Sequence, residues 1–204
     1  MMPRYYMFHK PKGAVTARRD DRHKTVMDYF PEEDRDILFP VGRLDKDTEG
    51  FLIVTDDGLF TYRLLSPESG IPKTYFFYSL GTPDEEKLRE LTTGVSIYRN
   101  RDDKTAPATI EMTESTTLRE IKDYIEYDAK TLYTKRGDLP CVGGYITITE
   151  GKKHQVKRML RYAGSKVVYL KRVKIGDIPL DPALPLGEYR EMTKEEIKAL
   201  SRNE

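Results

Sequence analysis

The spacing of apolar residues along the chain predicts short strands with helices inserted between them. Residues 51–55 (FLIVT) form a compact apolar run, residues 73–80 are rich in aromatics, and residues 145–149 (YITIT) alternate strictly, so each predicts a strand. Residues 58–65 and 152–162 repeat apolar positions at three- and four-residue spacing, which is typical of amphipathic helices.

Weaker patterns complete this picture. Further strands are predicted at residues 4–9, 95–98, 108–112 and 166–173, and further helices at 83–91 and 193–200. Residues 117–140 are highly charged and their periodicity favours neither a helix nor a strand. Because runs of strands carry inserted helices without a strict βαβα alternation, we expect an α+β fold with a mainly antiparallel central sheet flanked by helices.

Composition excludes several classes of protein. No run of 18 apolar residues exists, and the N-terminus lacks the apolar stretch of a secretory signal, so we expect a cytoplasmic protein without a membrane span. The single cysteine, Cys141, excludes an internal disulfide and a cysteine-rich zinc site. The three histidines match no metal-ligand spacing, and no metal is expected.

The charges are segregated, although the net charge is only +1. Residues 151–175 contain nine Lys or Arg and no acid, and residues 1–19 contain five more, again without an acid. The rest of the chain therefore holds 21 basic residues against 34 acidic ones. Such segregation favours a surface that binds a polyanion, although a solvated basic helix face is the plainer alternative.

Three chemistries compete for residues 42–58 (GRLDKDTEGFLIVTDDG). The carboxylates fall near the ligand positions of a calcium-binding loop, but the preceding segment carries Pro40 and Gly42 and is a poor helix, so calcium is rejected. The sequence from Asp45 to Thr48 (D-K-D-T) also resembles the D-x-D-x-T of aspartate phosphotransferases, with the threonine one position early, and this stays open as the weaker alternative. In the third interpretation, Asp45 is a single reactive carboxylate on a loop shaped by Gly42 and Arg43.

Four ordered motifs support the third interpretation and resemble the pseudouridine synthases. They are Gly42-Arg43-Leu44-Asp45 with the following Thr48-x-Gly50-Phe51-Leu52, then Lys73-Thr74-Tyr75, then Glu150-Gly151-Lys152-Lys153-His154-Gln155-Val156-Lys157-Arg158-Met159, and finally Leu170-Lys171-Arg172-Val173 with Leu186-Gly187-Glu188-Tyr189-Arg190. The last two are similar to the branch that modifies small-subunit ribosomal RNA. The resemblance covers nearly the whole chain, and the motifs occur in the family's order.

The resemblance implies isomerisation of a uridine to pseudouridine in ribosomal RNA, with 16S rRNA as the expected target, and it implies no cofactor. Asp45 would be the catalytic residue, acting either as a nucleophile or as a base toward the ribose. Lys157 matches the basic residue that pairs with this aspartate, and Tyr75 matches the active-site tyrosine that supports the extruded base. Arg43 would position the flipped nucleotide or its phosphate.

The resemblance also implies an RNA-binding face and a particular domain organisation. The expected RNA contacts are Arg43, Lys152, Lys153, His154, Gln155, Arg158, Arg161, Lys171 and Arg172, joined by the basic N-terminal residues. We expect residues 1–204 to form one catalytic domain, with two lobes around a cleft, that acts as a monomer on ribosomal RNA or a ribosomal subunit precursor. The small N-terminal RNA-binding domain of this branch is not expected, and the segment 117–139 is longer than the family pattern requires.

Two other functions remain open on the sequence alone. A synthase that acts on 23S rRNA would carry the same catalytic motifs. A non-catalytic RNA-binding or ribosome-assembly protein could present the same basic face.

Overall fold

The computed structural model describes residues 2–98, 103–126 and 134–201, and the chain divides into two compact units. Unit 1 comprises Met1–Lys73 and Lys171–Glu204, and unit 2 comprises Thr74–Leu170. Each unit has a hydrophobic core of its own. None of the helices in the described ranges is long and apolar enough to cross a membrane.

Unit 1 is organised around strand β3 (Glu49–Thr55), which is buried from its second residue onward. Strand β1 (Tyr5–Lys10) pairs with it antiparallel, from Tyr5 opposite Thr55 to Lys10 opposite Gly50. Strand β2 (Phe39–Val41) also pairs antiparallel with β3. The end of β1 and the start of β3 are therefore neighbours, and the loop carrying Asp45 leads into that point.

The rest of unit 1 extends this sheet. The second half of β7 (Lys166–Ile175) runs parallel to the start of β3, β8 (Ile178–Pro179) folds back on β7, and β9 (Tyr189–Glu191) pairs antiparallel with β1. Helices α1 (Gly58–Leu65) and α4 (Lys194–Ser201) contact each other and cover the core. Helix α1 begins where the Asp57 carboxylate accepts the Phe60 N–H at 2.9 Å.

Unit 2 contains β4 (Lys73–Leu80), β5 (Thr109–Thr117), β6 (Pro140–Ile148) and the first half of β7, in the order β5-β6-β4-β7. Strands β5 and β6 are antiparallel, with a register shift between Met112 and Glu114. Two helices belong to this unit, α2 (Glu85–Glu90) and α3 (Gln155–Tyr162).

The segment that the periodicity left undecided contributes to the core of unit 2. Leu118, Ile121 and Ile125 are buried against Tyr78, Cys141 and Tyr169. Short 3₁₀ turns occupy Lys122–Tyr124 and Lys135–Asp138, and residues 127–133 lie outside the described ranges. Part of this segment is therefore structural.

The α+β prediction is confirmed, with strands that are mostly antiparallel and β3 beside β7 as the parallel pair described. The predicted strand at 95–98 is wrong: it reduces to a bridge between Ser96 and Lys104. The reason is that the Thr105 hydroxyl, rather than a backbone carbonyl, accepts the Val95 N–H at 3.1 Å. Helix α3 begins at Gln155, three residues later than predicted, and the short strands β2, β8 and β9 were not predicted.

Candidate active site and basic helix

Asp45 is half-buried on a tight turn between β2 and β3. Its carbonyl oxygen accepts the Thr48 N–H at 3.0 Å. Gly42 precedes the turn with a φ of 71°, and a Cβ there would lie 3.0 Å from the Leu65 side chain, so this position favours glycine. The Thr16 hydroxyl bonds both the N–H and the carbonyl of Leu44, at 3.1 and 2.8 Å. The backbone around Asp45 is therefore fixed from both sides.

Lys10 donates hydrogen bonds to the backbone of the same turn. Its side chain is fully buried, and its Nζ donates to the carbonyl oxygens of Thr48 at 2.7 Å, Pro11 at 3.0 Å and Asp45 at 3.1 Å. Burial lowers the pKa of Lys10 to about 8, against the opposing effect of Asp47, Asp45 and Glu49. The basic N-terminal residues were expected on the RNA-binding face; Lys10, one of them, is instead buried with its ammonium bonded to backbone carbonyls.

Gly50 and Arg172 meet where β3 begins. Gly50 has a φ of 108°, and a Cβ would lie 2.2 Å from the Arg172 carbonyl oxygen, so another residue would separate β3 from β7. The Arg172 side chain is 4% exposed, and its Nε donates to the Phe51 carbonyl at 2.7 Å. Arg172 was predicted to contact RNA, whereas the structure buries it beneath the Asp45 loop. Its neighbour Lys171 is half-buried.

Arg43 and Tyr75 occupy contrasting environments. Arg43 is exposed on the loop before Asp45, where its guanidinium can reach a ligand. Tyr75 lies on β4 in unit 2 and is 8% exposed, on the same strand face as the fully buried Phe77. The neighbouring Phe76 is half-buried against Tyr145 and Tyr169.

The segment before α3 folds around Gln155. Its side chain is buried; Oε1 accepts the Lys152 N–H at 2.8 Å, and Nε2 donates to Glu150 Oε1 at 2.7 Å. The Lys152 ammonium donates to Asp103 Oδ2 at 3.0 Å and to the Lys104 carbonyl at 2.8 Å. Gln155 and Lys152 were both predicted to bind RNA, but these polar groups bond within unit 2. Lys153 is exposed.

The remaining predicted residues of α3 line one pocket of unit 2. His154 lies at the start of the helix with a φ of 54°. Lys157 and Arg158 follow it by three and four residues, and Arg161 follows them by four and three, so these side chains share a helix face. With Tyr162 and residues 96–98 they line an open pocket of about 670 Å³. The Arg158 guanidinium carbon lies 4.4 Å from the centroid of the Tyr98 ring. The sequence pattern at Tyr98 predicted only a strand and gave no sign of this contact.

In the described part of the chain, no three His, Cys, Asp or Glu side chains come together in a way that could hold a metal ion. The carboxylates of the 42–58 segment, which resemble calcium ligands in sequence, do not form such a group. Asp57 instead caps α1 and accepts the Tyr5 hydroxyl at 2.5 Å, and Asp56 pairs with Arg4 at 3.0 Å.

Residues 4–162 match a family model described as RNA pseudouridylate synthase. An RNA pseudouridine synthase of Bacillus subtilis is 43% identical over 198 residues, covering 97% of this chain and 73% of that protein. The ribosomal small subunit pseudouridine synthase A of Pseudomonas aeruginosa is 37% identical, covering 95% and 73%. A crystal structure of a pseudouridylate synthase superposes with a TM-score of 0.76 at 34% identity, covering 98% and 74%.

Proposed function

The chain belongs to the RNA pseudouridylate synthase family, and we propose that it isomerises one uridine of 16S ribosomal RNA to pseudouridine with Asp45 as the catalytic residue. Family membership makes it an RNA-binding isomerase. The observation that carries the assignment to Asp45 is its turn, whose backbone is fixed by Thr16 and Lys10 while the carboxylate-bearing residue stays half-exposed. A fixed backbone is what a reacting carboxylate requires, because small displacements are costly in rate.

The proposed reaction conserves all atoms of the nucleoside. The bond between C1′ and N1 breaks, the uracil rotates, and a bond forms between C1′ and C5. The proton on C5 is lost and a proton is taken up at N1. Asp45 either adds to the substrate or removes a ribose proton, and both routes need it ionised. We assign the hydroxyl of Tyr75 to proton loss from C5, and its ring to support of the extruded base.

Two cationic residues are also assigned to the proposed active site. Lys157 is assigned to stabilise the ionised Asp45, as the resemblance implies. Arg43 is assigned to the phosphate of the flipped nucleotide, which its exposure supports. The exposed Lys153 is assigned to the RNA backbone, together with Arg158 and Arg161 of α3 and with Lys171. For Arg172, Gln155 and Lys152 we now propose positioning roles, since each of these side chains donates a hydrogen bond to another protein group.

The choice of 16S rRNA is supported by relatives in several bacteria that are named ribosomal small subunit pseudouridine synthase A, such as the Escherichia coli protein, which is 35% identical over 97% of this chain. We propose that the protein acts in the cytoplasm, as a monomer, on this RNA or on a precursor of the small subunit. Activity on 23S rRNA is the main competing outcome.

The test uses transcribed 16S and 23S rRNA carrying tritium at C5 of uridine. Because the proton on C5 leaves during the reaction, tritium release measures turnover directly. We expect release of about one tritium per 16S molecule and none from 23S. Release from 23S alone would overturn the target, and release from neither, with RNA binding retained, would favour a non-catalytic binding protein. Mapping pseudouridine in RNA from cells with and without this gene identifies the position.

A further inference from the structure

Among the described residues, the lining of the pocket in unit 2 includes three cationic side chains and no acidic one. Lys157, Arg158 and Arg161 all line it, and they occupy neighbouring positions on α3. Like charges three or four residues apart destabilise a helix by a few tenths of a kcal/mol each. A bound anion would offset that repulsion.

The wall opposite the helix is fixed. Ser96 pairs with Lys104, and its hydroxyl donates to the Tyr98 carbonyl at 3.2 Å. Thr105 bonds Val95 through both its N–H and its hydroxyl, at 2.9 and 3.1 Å. The backbone carbonyl of Tyr98 is thus hydrogen-bonded within this wall. Tyr162 supplies the second aromatic ring of the pocket. Its hydroxyl donates a hydrogen bond to the Glu90 carboxylate, and this bond raises the pKa of Tyr162.

Tyr98 orients Arg158. A guanidinium at 4.4 Å from a ring centroid is within cation–π range, and stacking occupies its face while leaving its edge N–H groups to donate. An arginine held this way loses less side-chain entropy when it binds, and its planar edge matches two oxygens of a phosphate. The stack therefore prepares Arg158 for an anion with paired oxygens.

From this geometry we propose that the pocket binds one phosphodiester group of the substrate RNA, with Arg158 and Arg161 as its ligands and Tyr98 as the residue that positions Arg158. The proposal rests on the proposed function for the identity of the polyanion. It adds a specific phosphate site to a general basic face. The volume of about 670 Å³ accommodates a nucleotide around that phosphate.

The test measures the affinity of protein carrying Asp45→Asn for the 16S transcript over a series of KCl concentrations. Arg158→Gln should weaken binding about tenfold and reduce the salt slope by about 0.7–0.9, the contribution of one phosphate contact. Tyr98→Leu should weaken binding to a similar extent although no charge is lost, and Tyr98→Phe should restore it. The double variant Tyr98→Leu/Arg158→Gln should bind no more weakly than Arg158→Gln alone.

Matched controls separate this effect from net charge and from unfolding. Arg89→Gln removes a positive charge from α2, where Arg89 is 77% exposed and pairs with Glu85 at 3.5 Å, and it should change the affinity less than twofold. Arg158→Lys keeps the charge but not the planar stack, and it should also weaken binding. Thermal melts should place every variant within a few degrees of the parent. Additive effects of Tyr98→Leu and Arg158→Gln, or wild-type affinity of either, would overturn the proposal.

Failure of this inference is distinguishable from failure of the proposed function. A protein that binds RNA through Tyr98 but releases no tritium would overturn the function and preserve the phosphate site. An active enzyme whose affinity and KM for RNA do not change when Tyr98 or Arg158 is replaced would overturn the phosphate site and preserve the function.

Discussion

The ammonium nitrogen of Lys10 lies 3.1 Å from the carbonyl oxygen of Asp45, and the lysine side chain is fully buried. A buried charge is tolerated only when polar groups surround it, and here backbone carbonyls of the turn do so. The bonds restrain the turn at both Asp45 and Thr48. Lys10 thereby links the first strand to the proposed catalytic carboxylate through the backbone.

Replacing Lys10 by Met should lower both stability and turnover. The lost bonds leave buried carbonyls without their donor, so we expect the free energy of unfolding to fall by about 1–3 kcal/mol. Loosening of the turn should lower kcat by roughly 10- to 100-fold with little change in KM. Urea unfolding and tritium release measure the two effects. Lys198→Met on the exposed face of α4 is the control and should change neither stability nor turnover. Equal losses of stability and turnover in the two variants would contradict the role of Lys10.

The depressed pKa of Lys10 predicts a specific pH dependence of stability. Between the folded pKa of about 8 and the ordinary value of 10.5, the unfolded chain binds more protons at this residue than the folded protein does. Stability conferred by the wild-type residue should therefore rise with pH across this window. We expect the free energy of unfolding of wild type to increase relative to Lys10→Met from pH 8 to pH 10. A constant difference would mean that the pKa is not depressed.

Gly50→Ala should be strongly destabilising. The new Cβ would lie 2.2 Å from the Arg172 carbonyl oxygen, and the φ of 108° is unfavourable for alanine. We expect a loss of roughly 2–4 kcal/mol. Gly58→Ala is the matched control, since a Cβ there meets nothing within 4 Å and the residue begins α1. Its melting temperature should stay the same or rise slightly; a similar loss in both variants would refute the close approach of β3 and β7.

Gln155→Ala distinguishes a structural residue from an RNA contact. Because Gln155 bonds Lys152 and Glu150 inside unit 2, we expect its loss to cost about 1–3 kcal/mol of stability. The salt dependence of RNA binding should stay unchanged, since no phosphate contact is removed. Calorimetry measures the loss of stability, and RNA binding over a series of KCl concentrations measures the salt dependence. A stable variant with weakened RNA binding would restore the prediction of an RNA contact made from the sequence.

The sequence predicts the fold class better than it predicts which polar and basic side chains are buried. Strand β4 and helix α1 were predicted to the residue, because their spacing is regular and their ends carry capping or turn signals. The burial of Lys10, Arg172 and Gln155 was not predicted, because a charge or amide in a linear pattern does not reveal whether it is buried. Tyr98 was missed because its contact with Arg158 joins segments 60 residues apart.

Tritium release from 16S transcript by wild type, Asp45→Asn and Asp47→Asn proteins tests the catalytic assignment. Asp47 lies exposed on the same turn, so its variant controls for charge and for disturbance of the loop. We predict that Asp45→Asn lowers kcat by roughly 10²–10⁴-fold or more while still binding the transcript, and that Asp47→Asn keeps most of the activity. Tritium release by Asp45→Asn at the wild-type rate would contradict the assignment.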